Sequence, residues 1–146
     1  MLTRNRFRYS IIFSCLLFIS LSCKRENPEE ILSQITGYWE IEKVTTPEGE
    51  SKTFTMNMLV DYIEIENKQG FRKKVAPQPD GTYLITEDAE AILVEIMDNK
   101  VQLIYSTPFD QWTETVLKAN ENQLVVKNET GTIYTYKRFE NINLIQ

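Results

Sequence analysis

The side chains that could bind or react in this sequence are carboxylates, tyrosines, lysines and arginines, because its 146 residues include no histidine. The lack of histidine removes the most frequent general base, the most frequent metal ligand and every Ser-His or Cys-His nucleophile pair. The two cysteines are Cys15 and Cys23, so neither a disulfide framework nor a cysteine metal cluster is expected. The acidic residues lack the spacing of a calcium loop, and the five glycines stand singly. We therefore expect a protein that is not an enzyme and has no metal or cofactor.

The N-terminus has the features of a bacterial export signal. Three arginines precede an apolar stretch, residues 11–21, which is too short to span a bilayer. The following Cys23, preceded by a serine, resembles the lipidated cysteine of bacterial lipoproteins, although Ser20 stands where that pattern has leucine. We predict a signal peptide over residues 1–22 and lipidation of Cys23, which would anchor the protein in the cell envelope, at the outer membrane. Cleavage before Cys15 and an ordinary cleaved signal remain alternatives.

The charge balance argues against nucleic acid as a partner. The chain has 16 basic and 21 acidic residues. Loss of Arg4, Arg6 and Arg8 with the signal leaves 13 basic against 21 acidic residues, a net charge of −8. Such a surface repels phosphate backbones. The expected partners are the bacterial membrane, through the lipidated Cys23, and either a small apolar ligand or an envelope protein.

Residues 23–36 are predicted to supply the lipid anchor, a polar spacer and a short helix. Asn27 and Pro28 suit the N-cap and the first helical position, and Glu30 stands at the capping-box distance. A helix over residues 28–36 would have one apolar face, and we expect this face to lie against one end of the domain that follows. The alternative is a proline- and acid-rich spacer without a helix. The residues of the apolar face are Ile31, Leu32 and Ile35.

Residues 37–140 consist of short runs of alternating apolar and polar residues, separated by Gly, Asn, Asp and Pro. This pattern is typical of an all-β fold. Short links between consecutive runs favour an antiparallel up-and-down β-barrel of eight to nine strands. Residues 141–146 are left as a tail. The predicted strands are 38–45, 58–66, 71–76, 82–86, 90–97, 100–106, 111–118, 123–128 and 132–139.

Two predicted hairpins turn tyrosines toward the interior. Asp98-Asn99 suits a type I′ turn, and the resulting register places Tyr105 inside, opposite Ile92. Residues 129–131 close the last hairpin, which sets the final strand against the inward side chains of the strand before it. The inward row of the final strand is then Tyr134, Tyr136 and Arg138.

Two further hairpins place charged side chains outside. A three-residue loop ending at Gly70, with the glycine in the left-handed conformation, pairs Arg72 with an acidic residue on the outer face and leaves Lys73 inside. In the later hairpin, Glu114 faces Lys127 on the outer surface. The predicted interior therefore contains a lysine but no carboxylate.

Gly37-Tyr38-Trp39 opens the first long strand, and Arg138 stands near the end of the last one. Over residues 35–139 the chain resembles a small bacterial lipocalin-like lipoprotein. Lipocalins open their first strand with Gly-x-Trp, and a basic residue near the last strand packs across that indole. The resemblance implies a closed lipocalin-like barrel in which Trp39 and Arg138 meet inside, and it makes Gly37, Trp39 and Arg138 structural residues.

The resemblance also implies a small hydrophobic or amphipathic ligand in the barrel. Tyr105, Tyr134 and Tyr136 could donate hydrogen bonds to it, and Lys73 could supply one positive charge for an amphipathic carboxylate. The same tyrosines could equally fill the barrel themselves. A cavity lined by the three tyrosines would favour ligand binding, and a solid interior with an apolar surface patch would favour a binding scaffold.

The alternative function is a non-catalytic interaction scaffold that binds an envelope protein through its proline-bearing loops. Phe109 lies in one such loop, and Trp112, which follows it, has outward parity in the predicted register. The two rings would then form an exposed patch for a protein partner. Burial of this segment against the barrel wall is the other possibility. A third class, an inhibitor of an envelope-degrading enzyme, would need an acidic loop insertion, which the sequence lacks.

Overall fold

The computed structural model describes residues 27–140, which form one helix and a nine-stranded antiparallel sheet. Within this range, no helix is long and apolar enough to cross a membrane. The helix, α1, spans Pro28–Ser33. The strands are β1 Gly37–Thr45, β2 Ser51–Thr53, β3 Val60–Glu66, β4 Gln69–Pro77, β5 Tyr83–Met97, β6 Lys100–Ser106, β7 Gln111–Ala119, β8 Gln123–Asn128 and β9 Ile133–Arg138.

The sheet closes into a barrel because its first strand pairs with its last. Strand β1 lies between β3 and β9, and the strands from β3 to β9 pair consecutively, each with the next. Eight strands therefore form the closed barrel, and the short β2 is an extra strand paired with the far half of β1. The predicted all-β, antiparallel up-and-down barrel is confirmed. The strand Ser51–Thr53 was not among the predicted ones.

The two ends of the barrel differ. At one end, called the helix end, lie α1, the start of β1, the end of β9 and the short turns 67–68, 98–99 and 120–122. At the other end, called the loop end, lie the connections 46–59, 78–82, 107–110 and 129–132. Because side chains alternate along each strand, one set points into the barrel and the other faces outward.

Helix α1 covers the helix end, as predicted from its apolar face. The Asn27 side chain accepts a hydrogen bond of 3.1 Å from the Glu29 backbone N–H, and Pro28 occupies the first turn. Both are typical helix-start features. Ile31 and Ile35 are buried in the same apolar cluster as the barrel interior, and α1 packs against β6 and β7. The helix ends at Ser33, three residues before the predicted end.

The β3–β4 hairpin has a different register from the predicted one. Asn67 and Lys68 both have positive φ angles, 51° and 64°, and form a two-residue turn in which Gly70 takes no part. Gly70 lies in β4, where an added Cβ would be 1.9 Å from the Glu64 carbonyl oxygen. The pairing is Ile63 with Arg72. Because the observed register differs from the predicted one by an odd number of residues, the side chains of β4 lie on the opposite faces from those predicted.

The exchange of faces in β4 overturns two predictions. Arg72 was expected outside and points into the barrel, where only 12% of its side chain is exposed. Lys73 was expected inside and lies on the outer surface, with its ammonium 5.3 Å from the centre of the Phe71 ring. The outer face there is aromatic, because Tyr62 packs edge-on against Phe71 with ring centres 5.9 Å apart.

The β7–β8 hairpin is also shifted. Val116 pairs with Val126, and a bulge at position 117 changes the alternation before Ala119. Trp112 and Glu114, both predicted to face outward, therefore point into the barrel. Leu117, at the bulge, is 45% exposed.

Other register predictions are confirmed. Asp98 and Asn99 have φ angles of 50° and 62°, as a type I′ turn requires, and Ile92 lies opposite Tyr105. Strand β9 pairs with β8 as predicted, with Tyr136 opposite Leu124. The predicted strands 82–86 and 90–97 are instead one continuous strand, in which the residues between Ile85 and Ala89 bulge opposite Lys74, where the β4–β5 register shifts.

Candidate functional site

Trp39 and Arg138 meet at the helix end, as the resemblance implied. The two residues are directly paired across β1 and β9. The Arg138 guanidinium lies 3.8 Å from the centre of the indole ring, and the Trp39 side chain is fully buried. The indole Nε1 donates a hydrogen bond of 2.7 Å to the Ile35 carbonyl oxygen. The pair therefore joins the barrel wall to the segment that follows α1.

Arg138 also binds several backbone carbonyl groups. Its Nη1 donates to the Thr36 oxygen at 2.9 Å and its Nη2 to the Gln34 oxygen at 2.8 Å, while Nε donates to the Glu121 oxygen at 3.0 Å. Gly37 is required beside this group, because its φ angle is 138° and an added Cβ would lie 2.2 Å from Arg138 Nη1. The helix end is thus fastened by structural contacts.

The loop-end half of the barrel contains a different set of side chains. We call these side chains, Asp61, Arg72, Lys74, Glu90 and Glu114, the charged cluster. Arg72 Nε donates a hydrogen bond to Glu90 Oε2, and Arg72 Nη1 lies 3.8 Å from Glu114 Oε2. Lys74 Nζ lies 2.5 Å from Asp61 Oδ1, an ion pair without the geometry of a hydrogen bond. Buried charges of this kind require partners, because each ion loses its hydration.

Two stacked aromatic rings support the guanidinium of Arg72. Tyr105 and Trp112 are paired across β6 and β7, with ring centres 5.2 Å apart and planes within 10° of parallel. The Arg72 guanidinium carbon lies 4.3 Å from the Tyr105 ring centre and 5.9 Å from that of Trp112. A guanidinium at such distances is attracted by the electron-rich ring faces. The aromatic pair therefore fixes the position of the central cation.

Burial changes the protonation equilibria of the cluster. Loss of hydration raises the pKa of Glu114, although Arg72 and a hydrogen bond from the Tyr105 hydroxyl act in the opposite direction. Burial likewise raises the pKa of Tyr105 well above its ordinary value, so its hydroxyl keeps its proton. The interior thus holds a carboxyl group that accepts a proton more readily than a surface carboxylate.

The charged cluster is open to solvent on one side. The side chain of Lys74 is 52% exposed and that of Glu90 is 31% exposed, whereas the side chain of Glu114 is 7% exposed. Trp112 is half-buried, and Tyr105, behind it, is buried. A molecule that approaches from this side would meet Lys74 and Glu90 first and Glu114 last.

The structure brings together only some of the predicted binding residues. Tyr105, Tyr134 and Tyr136 belong to the barrel interior as predicted, with Tyr136 buried and Tyr134 half-buried. Lys73 is separated from them by the barrel wall. Cys23, the predicted lipidation site, lies outside the described residues.

The predicted surface patch of Phe109 and Trp112 does not form. Phe109 is 97% exposed in the β6–β7 connection, whereas Trp112 stacks on Tyr105 inside the barrel. The two rings are therefore on different surfaces of the molecule. A protein partner that binds Phe109 on the outer surface would therefore not contact Trp112, which lies inside the barrel.

Three clefts lie on the outside of the described chain, and none is lined by Tyr105, Tyr134 or Tyr136. Clefts of about 570 Å³ and about 670 Å³ flank α1 and share Ile31. A third, of about 340 Å³, lies beside β2 and includes Phe54. They differ from the predicted tyrosine-lined cavity in position and in lining. The charged cluster is therefore the candidate site by its chemistry and not by the volume of a cleft.

Sequence reasoning missed Arg72 and Glu114 because each was given an outside partner. One signal was available for Glu114. It shares parity with Trp112 and Val116, so placing those two apolar side chains in the core would have placed the carboxylate there as well. For Arg72 the signal was weaker, because Gly70 suggested a longer turn than the one that forms.

The family model that matches this chain agrees with the architecture. A family model described as a lipocalin-like domain matches residues 35–126. A solved structure of a lipocalin-like protein from Bacteroides uniformis is 12% identical, covering 73% of this chain and 99% of that chain, with a TM-score of 0.47. An uncharacterized protein from Bacteroides eggerthii is 11% identical, covering 71% and 98%, with a TM-score of 0.45. No curated protein is similar enough in sequence to match.

Proposed function

Because the chain belongs to the family of lipocalin-like domains, we propose that it is a non-catalytic, lipid-anchored protein of the cell envelope that binds a small amphipathic molecule at the loop end of its barrel. The apolar part of the molecule would lie against Trp112 and Tyr134, and its polar part against the charged cluster. Lipocalin-like barrels of eight strands have an interior that just accommodates side chains or one small ligand.

The observation that carries this proposal is the charged cluster itself. A barrel that only needed a filled interior would be as stable, or more stable, with apolar residues in place of Arg72 and Glu114. The cluster lies between a closed apolar half and a side open to solvent, where Glu90 and Lys74 are partly exposed. Binding sites usually orient their ligand with a small number of polar groups placed in largely apolar surroundings.

The test is recovery of a bound molecule from protein purified out of its native membrane. The protein is unfolded, extracted with organic solvent and examined by mass spectrometry. We expect a defined molecule in the wild type and in Phe109→Ala, and at least about a tenfold smaller amount in Trp112→Ala, because Trp112 lies inside the barrel and Phe109 lies on an exposed loop. Melting temperatures would establish that both variants are folded.

The same pair of variants separates the two candidate functions. A scaffold that binds an envelope protein through its loops would lose a stoichiometric partner in Phe109→Ala and keep it in Trp112→Ala. The second candidate is favoured by the 97% exposure of Phe109 together with the exposed Met56 and Met58 in another loop-end connection. Absence of any recovered molecule, with a protein partner lost in Phe109→Ala, would replace ligand binding by the scaffold.

The lipid anchor would also orient the domain. Four residue steps separate Cys23 from Asn27, the N-cap of α1, and extended chain of that length reaches at most about 14 Å. The helix end would therefore stand close to the bilayer, and the loop end would face away from it. A molecule would then enter from the aqueous side and not directly from the anchoring leaflet.

Replacement of the anchor cysteine tests this part of the proposal. We expect Cys23→Ser to move the protein from the membrane fraction to the soluble envelope fraction, because a serine cannot receive the thioether-linked lipid that holds the wild type. Cys15→Ser is the matched control and should remain in the membrane fraction. Membrane retention of Cys23→Ser with release of Cys15→Ser would shift the anchor to position 15.

A further inference from the structure

The charged cluster has more acids than bases. Asp61, Glu90 and Glu114 face two cations, Arg72 and Lys74. Asp61 has the Lys74 ammonium at 2.5 Å, and Glu90 accepts the hydrogen bond of the Arg72 Nε. Glu114 has neither arrangement, because its nearest cation is the same Arg72, at 3.8 Å. Glu114 is therefore the carboxylate of the cluster with the least compensated charge.

Solvent cannot stabilise the charge of Glu114. Its side chain is 7% exposed and points into the barrel, two residues along β7 from Trp112. A carboxylate in such surroundings either takes up a proton or gains from a nearby positive charge. The positive charge can come from a bound molecule that enters from the side open to solvent.

The loop end favours the approach of cations. Its connections, 46–59, 78–82, 107–110 and 129–132, contain five acidic residues and one basic residue, Lys52. A rim of one sign raises the local concentration of oppositely charged molecules and repels those of the same sign. The acidic residues are Glu48, Glu50, Asp80, Asp110 and Glu129.

We propose that the ligand of this barrel is a cationic amphiphile, whose ammonium group lies beside Glu114 and Glu90 and whose apolar part extends toward the loop end. This inference rests on the proposed ligand-binding function and names the chemical class of its ligand. A carboxylate ligand, the class first suggested by Lys73, would bring a fourth negative charge to Asp61, Glu90 and Glu114. It would also approach through an acidic rim.

The test compares three soluble probes with the same eight-carbon chain: octylamine, which is cationic at neutral pH, octanol and octanoate. Binding to the purified mature domain is measured by isothermal titration calorimetry at constant salt. We expect octylamine to bind at least about tenfold more tightly than octanol, because one close opposite charge in a partly buried site has that order of effect after desolvation. Octanoate should bind more weakly than octanol.

Variants assign the preference to the cluster. Glu114→Gln keeps the shape of the side chain and should reduce the preference for octylamine over octanol to within about twofold. Glu90→Gln should reduce it in the same direction, and it serves as the second variant if Glu114→Gln does not fold. Glu129→Gln removes an exposed rim carboxylate and should keep most of the preference.

The outcomes separate this inference from the proposed function. Equal or tighter binding of octanol or octanoate, or an octylamine preference that survives in both Glu114→Gln and Glu90→Gln, would overturn the cationic class and leave a ligand-binding barrel. Failure of all three probes to bind would count against both the cationic class and the proposed function.

Discussion

Trp39→Ala is expected to lower the free energy of unfolding by about 4 kcal/mol, the range typical of deleting a large buried aromatic side chain. The indole is fully buried, its Nε1 bonds to the Ile35 carbonyl, and one face contacts the Arg138 guanidinium. The truncation would leave a cavity, remove the hydrogen bond to the Ile35 carbonyl group and remove the cation–π contact of Arg138. Equilibrium unfolding in urea, followed by circular dichroism, measures the difference.

Phe109→Ala is the matched control for this prediction. It also deletes an aromatic ring, but from a side chain that is 97% exposed, so the expected change is within about 0.5 kcal/mol. Trp39→Phe should fall between the two, because it keeps part of the packing and loses the hydrogen bond to Ile35. A Trp39→Ala effect no larger than that of Phe109→Ala would mean that the indole does not hold the helix end together.

Arg138→Ala is expected to cost about 3 kcal/mol, because hydrogen bonds from a charged group and a cation–π contact are lost together. The guanidinium bonds to carbonyl oxygens before β1 and between β7 and β8, so its loss should also loosen α1. Urea unfolding gives the global change. Hydrogen exchange, read by mass spectrometry, should show faster exchange in residues 28–36 than in β6.

Arg138→Lys and Lys137→Ala distinguish geometry from charge. Lysine keeps the charge but lacks the planar set of donors, so Arg138→Lys should recover less than half of the loss. Lys137, the adjacent residue, pairs with Glu40 at 3.0 Å on the outer surface, and its removal should cost less than about 1 kcal/mol. Full recovery of the unfolding free energy by lysine would mean that only the positive charge of Arg138 contributes to stability, and not its planar set of donors.

Sequence alone was sufficient where local chemistry specifies the register. Asp98-Asn99 requires a two-residue turn, which fixes Tyr105 opposite Ile92. The Gly-x-Trp pattern and Arg138, through the resemblance to lipocalins, predict a meeting of the first and last strands, because the motif joins a residue of each of these two strands. The capping residues Asn27 and Pro28 likewise predict where α1 begins.

Turn geometry limited the prediction of the β3–β4 hairpin. A lysine with positive φ, as at Lys68, is uncommon, so the pattern favoured Gly70 as the turn residue. Gly70 is needed for another reason, the close approach of the Glu64 carbonyl group across the hairpin. That approach exists only once the strands are paired, so the sequence pattern does not reveal it. The wrong prediction of this one turn placed Arg72 and Lys73 on the wrong faces of β4.

The charged cluster is the part that only the tertiary structure decided. Arg72 and Glu114 lie on β4 and β7, which are not neighbours in the sheet, so this ion pair forms only when the barrel closes. Considered one hairpin at a time, each charge is more stable in water, so reasoning from single hairpins assigns it to the outside. The sequence by itself determined the barrel, its closure through Trp39 and Arg138 and the helix that covers one end. Closure of the barrel decided which side chains fill its loop-end half. Opposite charges that meet across the interior can offset the hydration energy that each charge loses on burial.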